Sequence, residues 1–157
     1  MAEVALRPVE EADLEALFAQ NRDPESVKMA AFTGRDPDDR EAFDAHMARL
    51  RASPDITLRV VTLDGHLVGS VAGFVMDGDT EVTYWIDRSA WGQGIASRAL
   101  ALLLDLVTVR PIYGRAASDN RGSLRVLQKA GFTVVGTERS HARARDAVIE
   151  ETILRLG

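Results

Sequence analysis

The feature that most restricts the fold is a run of three β-rich segments between residues 56 and 87, separated by two tight turns. The first two segments, "ITLRVVTL" and "HLVGSVAGFVM", flank Asp64-Gly65, a dipeptide whose tolerance of positive φ suits the primed turn of a hairpin. The third segment, "TEVTYWID", follows directly after "DGD". Strands joined this tightly pair in antiparallel fashion, so the pattern predicts a meander.

Helical patterns lie on both sides of the meander. Asp23 before Pro24, and Asp36 before Pro37, predict the capped starts of two helices. Apart from the meander, the predicted elements are a strand over 4–9, helices over 11–21, 22–32, 35–53 and 96–109, a strand over 112–118, a helix over 120–131, and strands over 132–138 and 147–156. A meander that leads into a β-α-β unit predicts an α/β (α+β) fold, with helices on both faces of a mixed sheet and residues 1–157 as a single domain.

Composition excludes several classes of function. The chain has no cysteine, which rules out disulfides, thiolate metal sites and a covalent cysteine intermediate. No spacing links the three histidines into a metal site, and the formal net charge of −5 argues against a nucleic-acid partner. The N-terminal segment does not resemble a signal peptide, and the apolar run over 99–109 is too short to span a membrane. We therefore expect a cytoplasmic protein without metal, membrane or nucleic acid.

The stretch "WGQGIAS" at 91–97 opens the helix that follows the meander. The first N–H groups of a helix have no intrahelical partner, and the helix dipole makes that end partly positive. Gly92, Gly94 and Ala96 keep large side chains away from the backbone there. The amides between them belong to Gln93, Ile95 and Ser97. This arrangement predicts a site for a phosphate or pyrophosphate.

Three kinds of phosphate site are compatible with glycines at a helix start. A P-loop is excluded because no lysine follows the glycines. A dinucleotide fingerprint is matched in part, with Ser97 in place of its third glycine and Asp119 where a ribose-binding acid would lie. However, "DRSAW" separates the strand from the first glycine, whereas that fingerprint turns directly. The third kind is a site for acyl-CoA.

Two segments resemble the GNAT N-acetyltransferase superfamily. "YWIDRSAWGQGIASRAL" is similar to its acyl-CoA segment, in which Gln or Arg is followed by a glycine three residues later and by Gly or Ala two residues after that. Gly94 and Ala96 match, and Trp91 replaces the Gln or Arg, as in the branch that acetylates the N-termini of ribosomal proteins. "NRGSLRVLQKAGF", over 120–132, is similar to the family's Asn- and Ser-containing helix.

The resemblance implies a mostly antiparallel GNAT-like sheet, acetyl-CoA as the acyl donor, and specific site residues. It assigns the binding of pantetheine to the main chain of Tyr84, Trp85 and Ile86. The Asn120 side chain would bond the cofactor arm, although Asn is also a favoured N-cap residue. Ser123 would be a proton donor near the sulfur. Lys129, Gly131 and Phe132 are interpreted as structural residues at the end of the helix.

Acetyl transfer to an amine needs a base, since a lysine side chain titrates near ~10 and an α-amine near ~8. Glu81 is the candidate, because several members of the superfamily carry a glutamate at the start of this strand. Glu150 and Glu151 are alternatives. Some N-terminal acetyltransferases place a glutamate five residues before the motif asparagine, but Arg115 stands there in this chain.

The expected function is that of an N-acetyltransferase in which a primary amine, on a protein N-terminus or a small molecule, attacks acetyl-CoA directly in a ternary complex. A non-catalytic acyl-CoA sensor is the alternative, and a nicotinamide-binding fragment is a more distant one. The sequence does not identify the amine, and it is compatible with a homodimer.

Overall fold

The computed structural model describes residues 2–34 and 36–157, within which a seven-stranded sheet lies between two layers of helices. The strands are β1 Val4–Arg7, β2 Thr57–Leu63, β3 His66–Met76, β4 Asp79–Ile86, β5 Ile112–Ala117, β6 Thr133–Ala142 and β7 Ala147–Leu156. The helices are α1 Leu14–Arg22, α2 Pro24–Ala30, α3 Arg40–Ala52, α4 Ile95–Leu106 and α5 Arg121–Lys129. The spatial order is β1-β2-β3-β4-β5-β7-β6, and β4–β5 is the parallel pair. The predicted mixed, mostly antiparallel fold is confirmed.

Aspartate side chains cap the starts of α2 and α3, and one of the two caps was predicted at the wrong residue. Asp23 caps α2 by accepting the Ser26 N–H, and Pro24 is the first helical residue, as predicted. The predicted cap of α3, Asp36, is wrong, because the side chain of Asp39 accepts the Ala42 N–H instead. Asp36 accepts the Asp38 N–H in the turn before the helix. Neighbouring aspartates offer the same cap, so the sequence alone does not select between them. The predicted helix began at Arg35, which lies outside the described residues.

Other boundaries also differ from the prediction, most of all the ends of α4 and β6. Helix α4 ends at Leu106 rather than at residue 109, because Val107 takes an extended conformation. A β-carbon on Gly73 of β3 would lie 3.0 Å from Val107 Cγ2, so the absence of that carbon leaves room for the valine against the sheet. Strand β6 continues four residues beyond the predicted end, to Ala142. Element type was thus easier to predict than element length.

The two faces of the sheet have separate cores. Val61 packs with Leu100 and Leu103 of α4, and Leu127 of α5 joins the same cluster. The adjacent Val60 packs with other helices, in a second cluster of Leu14, Leu17, Phe43 and Met47. Consecutive strand residues point to opposite faces, so these valines show that α4 and α5 cover one face while α1 and α3 cover the other.

The end of α5 behaves as its sequence indicates. Gly131 has φ 104°, in the region that favours glycine, and Phe132 is buried in the same core as Leu127.

In the part of the chain that the structure describes, no helix combines the length and apolar character needed to cross a bilayer.

The central strands part in the middle of the sheet. The parallel ladder between β4 and β5 ends at the pair Val82–Gly114. Beyond it, β4 stays paired with β3 as far as Ile86, and β5 stays paired with β7 as far as Ala117. The diverging strands form a wedge, defined by residues 83–86 on one side and 115–117 on the other.

Candidate active site

The wedge opens onto both faces of the sheet. The Trp85 indole N–H donates to the Gln20 carbonyl of α1 at 3.0 Å, on one face. The Tyr84 phenol bonds to Ser123 of α5, on the other face. A cavity of about 1150 Å³ joins the wedge to the start of α4 and to the surroundings of Glu81. A long, narrow ligand can therefore pass from one face to the other through the sheet.

The start of α4 has no side-chain cap. Gly92 and Gly94 have φ of 77° and 75°, which L side chains rarely adopt, and a β-carbon on either would meet no atom within 4 Å. Gly94 occupies the N-cap position, and the first turn holds no acidic residue. Among the described residues, none accepts a hydrogen bond from the backbone N–H of Ile95, Ala96 or Ser97. Open amides at the positive end of a helix form a ready anion site.

The main chain of β4 also offers polar groups to the wedge. The Asp87 N–H bonds to the Val68 carbonyl of β3, and hydrogen-bonded pairs alternate along an antiparallel ladder. The N–H and C=O of Trp85 therefore point toward β3. Those of Tyr84 and Ile86 point toward the wedge. Of the three residues predicted to bind pantetheine through the main chain, Tyr84 and Ile86 present main-chain groups to the wedge, and their role in binding stays a prediction.

Trp91 connects the loop before α4 to the end of β4. Its indole N–H donates to the Ile86 carbonyl at 2.8 Å, while the ring is 42% exposed. The Gln93 side-chain amide lies 3.4 Å from the Ser89 carbonyl, so this side chain is turned back toward the preceding turn. The tryptophan that departs from the superfamily pattern thus holds the glycine loop beside the wedge.

The start of α5 borders the same cavity and has a cap. The Asn120 Oδ1 accepts the Ser123 N–H at 3.2 Å, and Nδ2 donates to the Met29 carbonyl of α2 at 3.3 Å. The Ser123 hydroxyl lies 2.6 Å from the Tyr84 phenol oxygen. Burial raises the pKa of Tyr84 to about 12, although its hydrogen bond to Ser123 acts in the opposite direction. Asn120 and Ser123 are thus brought together at the wedge, where their roles stay predictions.

Glu81 lies on the α1–α3 face, with Arg115 beside it. The residue is 7% exposed, and its carboxylate is 3.7 Å from the Arg115 guanidinium of β5. Arg115 bonds more closely to Glu138 and Glu151, at 3.0 and 3.2 Å. Burial raises the pKa of Glu81, and the charge of Arg115 offsets part of that rise. Among the described residues, three carboxylates around one guanidinium give this end of the cavity an excess of negative charge.

The other candidate bases have different surroundings. Glu151 bonds to Arg115, whereas Glu150 is exposed and pairs with Arg139 in the β6–β7 ladder. Sequence reasoning noted Arg115 as a departure but missed its contact with Glu81. It also missed the side-chain contact of Tyr84. Both contacts join residues that are far apart in the chain, so no local sequence pattern indicates them. In residues 2–34 and 36–157, no group of His, Asp and Glu side chains has the arrangement to hold a metal ion.

A comparison with models of protein families shows to which family this chain belongs. Residues 3–133 match the acetyltransferase (GNAT) domain. The chain belongs to the GNAT acetyltransferase family. The predicted family, enzyme class and fold are therefore confirmed.

Individual relatives agree along nearly the whole chain. YjcK of Bacillus subtilis (strain 168), described as a probable N-acetyltransferase, is 26% identical over 172 residues, covering 98% of this chain and 93% of its own. RimJ of Mycobacterium smegmatis, solved with a CoA disulfide, is 25% identical with a TM-score of 0.82, covering 98% of this chain and 81% of that one. The spermidine N-acetyltransferase of Vibrio cholerae, solved with CoA and spermine, is 16% identical with a TM-score of 0.84, covering 98% and 94%.

Proposed function

We propose that this protein transfers the acetyl group of acetyl-CoA directly to a primary amine, on a protein N-terminus or a small molecule. The observation that carries the proposal is the uncapped start of α4, joined by a continuous cavity to a buried carboxylate on the opposite face of the sheet. The negative surroundings of Glu81 suit an acceptor that arrives as an ammonium ion.

The donor half of the cavity fits the polar parts of acetyl-CoA. The diphosphate would lie against the free amides of Ile95, Ala96 and Ser97, each charge-assisted hydrogen bond contributing roughly 1.5–3 kcal/mol. The pantetheine amides would meet the main-chain groups of Tyr84 and Ile86 along the wedge. RimJ, solved with a CoA disulfide, and the spermidine acetyltransferase, solved with CoA and spermine, share the fold.

The chemistry follows from the two faces of the wedge. The amine nitrogen attacks the thioester carbonyl, the carbon–sulfur bond breaks, and its electron pair stays on sulfur. Glu81, on the acceptor face, takes the proton that the attacking nitrogen loses. The N–H of Tyr84 or Ile86 would stabilise the oxyanion of the tetrahedral intermediate. Ser123, on the donor face, would hydrogen-bond the departing sulfur. A relay through an enzyme thioester is excluded, since the chain has no cysteine.

The environment of Glu81 suits the role of a base. Burial raises its pKa above the ordinary value of a glutamate, which makes its carboxylate a better proton acceptor. The folded state then binds a proton more tightly than the unfolded state does. Protonation of Glu81 therefore stabilises the folded protein. This stabilisation is complete at pH values below the pKa that Glu81 has in the unfolded chain, and it is lost as the pH rises through the pKa that Glu81 has in the folded protein. Catalysis has the opposite dependence, since the base works only when deprotonated.

The test is the release of CoA from acetyl-CoA in the presence of a panel of amines and N-terminal peptides. Glu81→Gln should lower kcat by about 100-fold or more, and the acidic limb of the wild-type pH profile should disappear. Glu138→Gln is the matched control, because Glu138 also bonds to Arg115 but its side chain is 57% exposed. That variant should retain kcat within a few-fold of wild type.

The possible outcomes distinguish an acetyltransferase from a non-catalytic sensor of acyl-CoA. Turnover that survives Glu81→Gln would remove Glu81 as the base and leave the acetyltransferase intact. Binding of acetyl-CoA without release of CoA, for every amine tested, would overturn the proposal in favour of a sensor of acyl-CoA.

A further inference from the structure

The hydroxyl groups of Tyr84 and Ser123 form a pair in the lining of the cavity. The oxygens lie 2.6 Å apart, and the phenol oxygen is also 3.0 Å from the Ser123 backbone carbonyl. Strand β4 supplies one hydroxyl and helix α5 the other, and both residues line the cavity. The pair lies on the face that carries the uncapped start of α4.

A phenol has one proton, so the two contacts of Tyr84 cannot both receive it. If the phenol donates to the Ser123 carbonyl, the serine hydroxyl must donate to the phenol oxygen to make the 2.6 Å contact. If the phenol donates to Ser123 Oγ instead, the serine proton is free to turn toward the cavity. Rotation of both hydroxyl groups converts one arrangement into the other. The short contact between the two oxygens is present in both arrangements.

We propose that Tyr84 is a positioning residue for Ser123: by donating its hydrogen bond to Oγ, it turns the serine proton toward the thioester sulfur as that sulfur leaves. The inference rests on the proposed function, and it adds a side-chain role to a residue that the sequence implicated through its backbone. Ser123 contacts the leaving group, whereas Tyr84 acts through Ser123.

The pair donates hydrogen bonds but does not supply the final proton. The breaking carbon–sulfur bond leaves its electron pair on sulfur, the proton of the amine goes to Glu81, and solvent protonates the thiolate after release. A phenol with a pKa of about 12 stays neutral, and so remains a donor, throughout the neutral range. The same high pKa keeps its proton from being lost to a thiolate.

A double-mutant cycle tests the dependence of Tyr84 on Ser123. Tyr84→Phe keeps the ring and removes the hydroxyl, and we expect kcat to fall about tenfold with the KM for acetyl-CoA unchanged. In the Ser123→Ala background the same change should have no further effect. Tyr113→Phe is the matched control, since Tyr113 is the other tyrosine of the chain and lies on β5. Additive losses, or wild-type kcat in Tyr84→Phe, would overturn the inference.

A second readout needs no amine acceptor. The pKa of the CoA thiol in the bound complex can be followed by thiolate absorbance, with the desulfo-CoA complex as the blank. A donor aimed at sulfur lowers that pKa, so Tyr84→Phe and Ser123→Ala should each raise it by about one unit, and Tyr113→Phe should not. An unchanged thiol pKa in Tyr84→Phe would refute the positioning role while leaving the proposed function standing. A wild-type protein that does not bind CoA would instead contradict the proposed function itself.

Discussion

Helices α4 and α5 begin on the same cavity, but their first turns are built differently. At α5, the Asn120 side chain accepts a backbone N–H of the first turn. At α4, the N-cap is Gly94, which has no side chain to offer and holds the left-handed conformation. Capping satisfies orphan amides internally, whereas an uncapped turn keeps them for a ligand.

The difference separates a structural helix start from a binding one. Helices α2 and α3 are capped by the side chains of Asp23 and Asp39, as α5 is by Asn120, whereas α1 continues from a 3₁₀ turn and has no side-chain cap of its own. A capping side chain in place of Gly94 would stabilise the free protein by roughly a few tenths of a kcal/mol, yet the sequence has a glycine there. We infer that the stability given up at α4 is recovered when the anion binds.

The largest effect should come from a branched side chain at the open turn. Gly94→Val would place its β-carbon where the diphosphate is expected, and would force valine into a left-handed conformation that costs roughly 1–2 kcal/mol. We expect the Kd for acetyl-CoA to rise about 100-fold, measured by calorimetry.

Gly65→Val is the control for backbone strain. Gly65 has φ 84° in the β2–β3 turn and, like Gly94, a β-carbon there would meet no atom within 4 Å. Both variants should lose similar thermal stability, but only Gly94→Val should lose affinity. Equal acetyl-CoA binding by the two proteins would contradict an anion site at α4.

A negative charge in the first turn of α4 should move stability and affinity in opposite directions. In Ser97→Asp, the carboxylate would face the free amides and the positive end of the helix, stabilising the ligand-free protein by about 0.3–1 kcal/mol. The same charge would repel the diphosphate, and we expect acetyl-CoA affinity to fall about tenfold at low salt. Melting temperature and Kd are the two measurements.

Ser97→Asn supplies the matched neutral change. Its shape is nearly that of aspartate, so it reproduces any steric effect without the charge. If Ser97→Asn weakens binding as much as Ser97→Asp, the loss is steric and the electrostatic account of α4 is wrong.

The start of α4 could be predicted from sequence because its chemistry is local. Glycines at alternate positions and an apolar helix behind them lie within a dozen residues of one another. Capping of α5 by Asn120 was one of the two roles that the sequence indicated for this residue, for the same reason. The β2–β3 hairpin also followed from its turn, since Asp64 and Gly65 both adopt positive φ.

The rest of the site depends on strand register, which the sequence does not encode locally. Arg115 reaches Glu81 because β4 and β5 are adjacent and parallel, with Glu81 opposite Tyr113. Tyr84 reaches Ser123 because α5 packs on its face of the sheet. Neither contact can be derived without knowing which strands are neighbours. The prediction of the α3 cap failed for a smaller reason, since three aspartates lie within four residues at 36–39.

The smallest effects should come from Asn120, whose capping role is observed and whose role toward the cofactor is predicted. Asn120→Ala removes the cap of α5 and should cost about 1 kcal/mol of stability, measured by denaturant unfolding. Asn120→Asp keeps the capping oxygen but loses Nδ2, the donor that bonds to the Met29 carbonyl. If the amide also donates to the cofactor arm, Asn120→Asp should raise the KM for acetyl-CoA a few-fold while α5 stays capped. A KM equal to that of wild type in Asn120→Asp, with reduced stability in Asn120→Ala alone, would show that Asn120 serves the helix and that anion recognition lies with the uncapped start of α4.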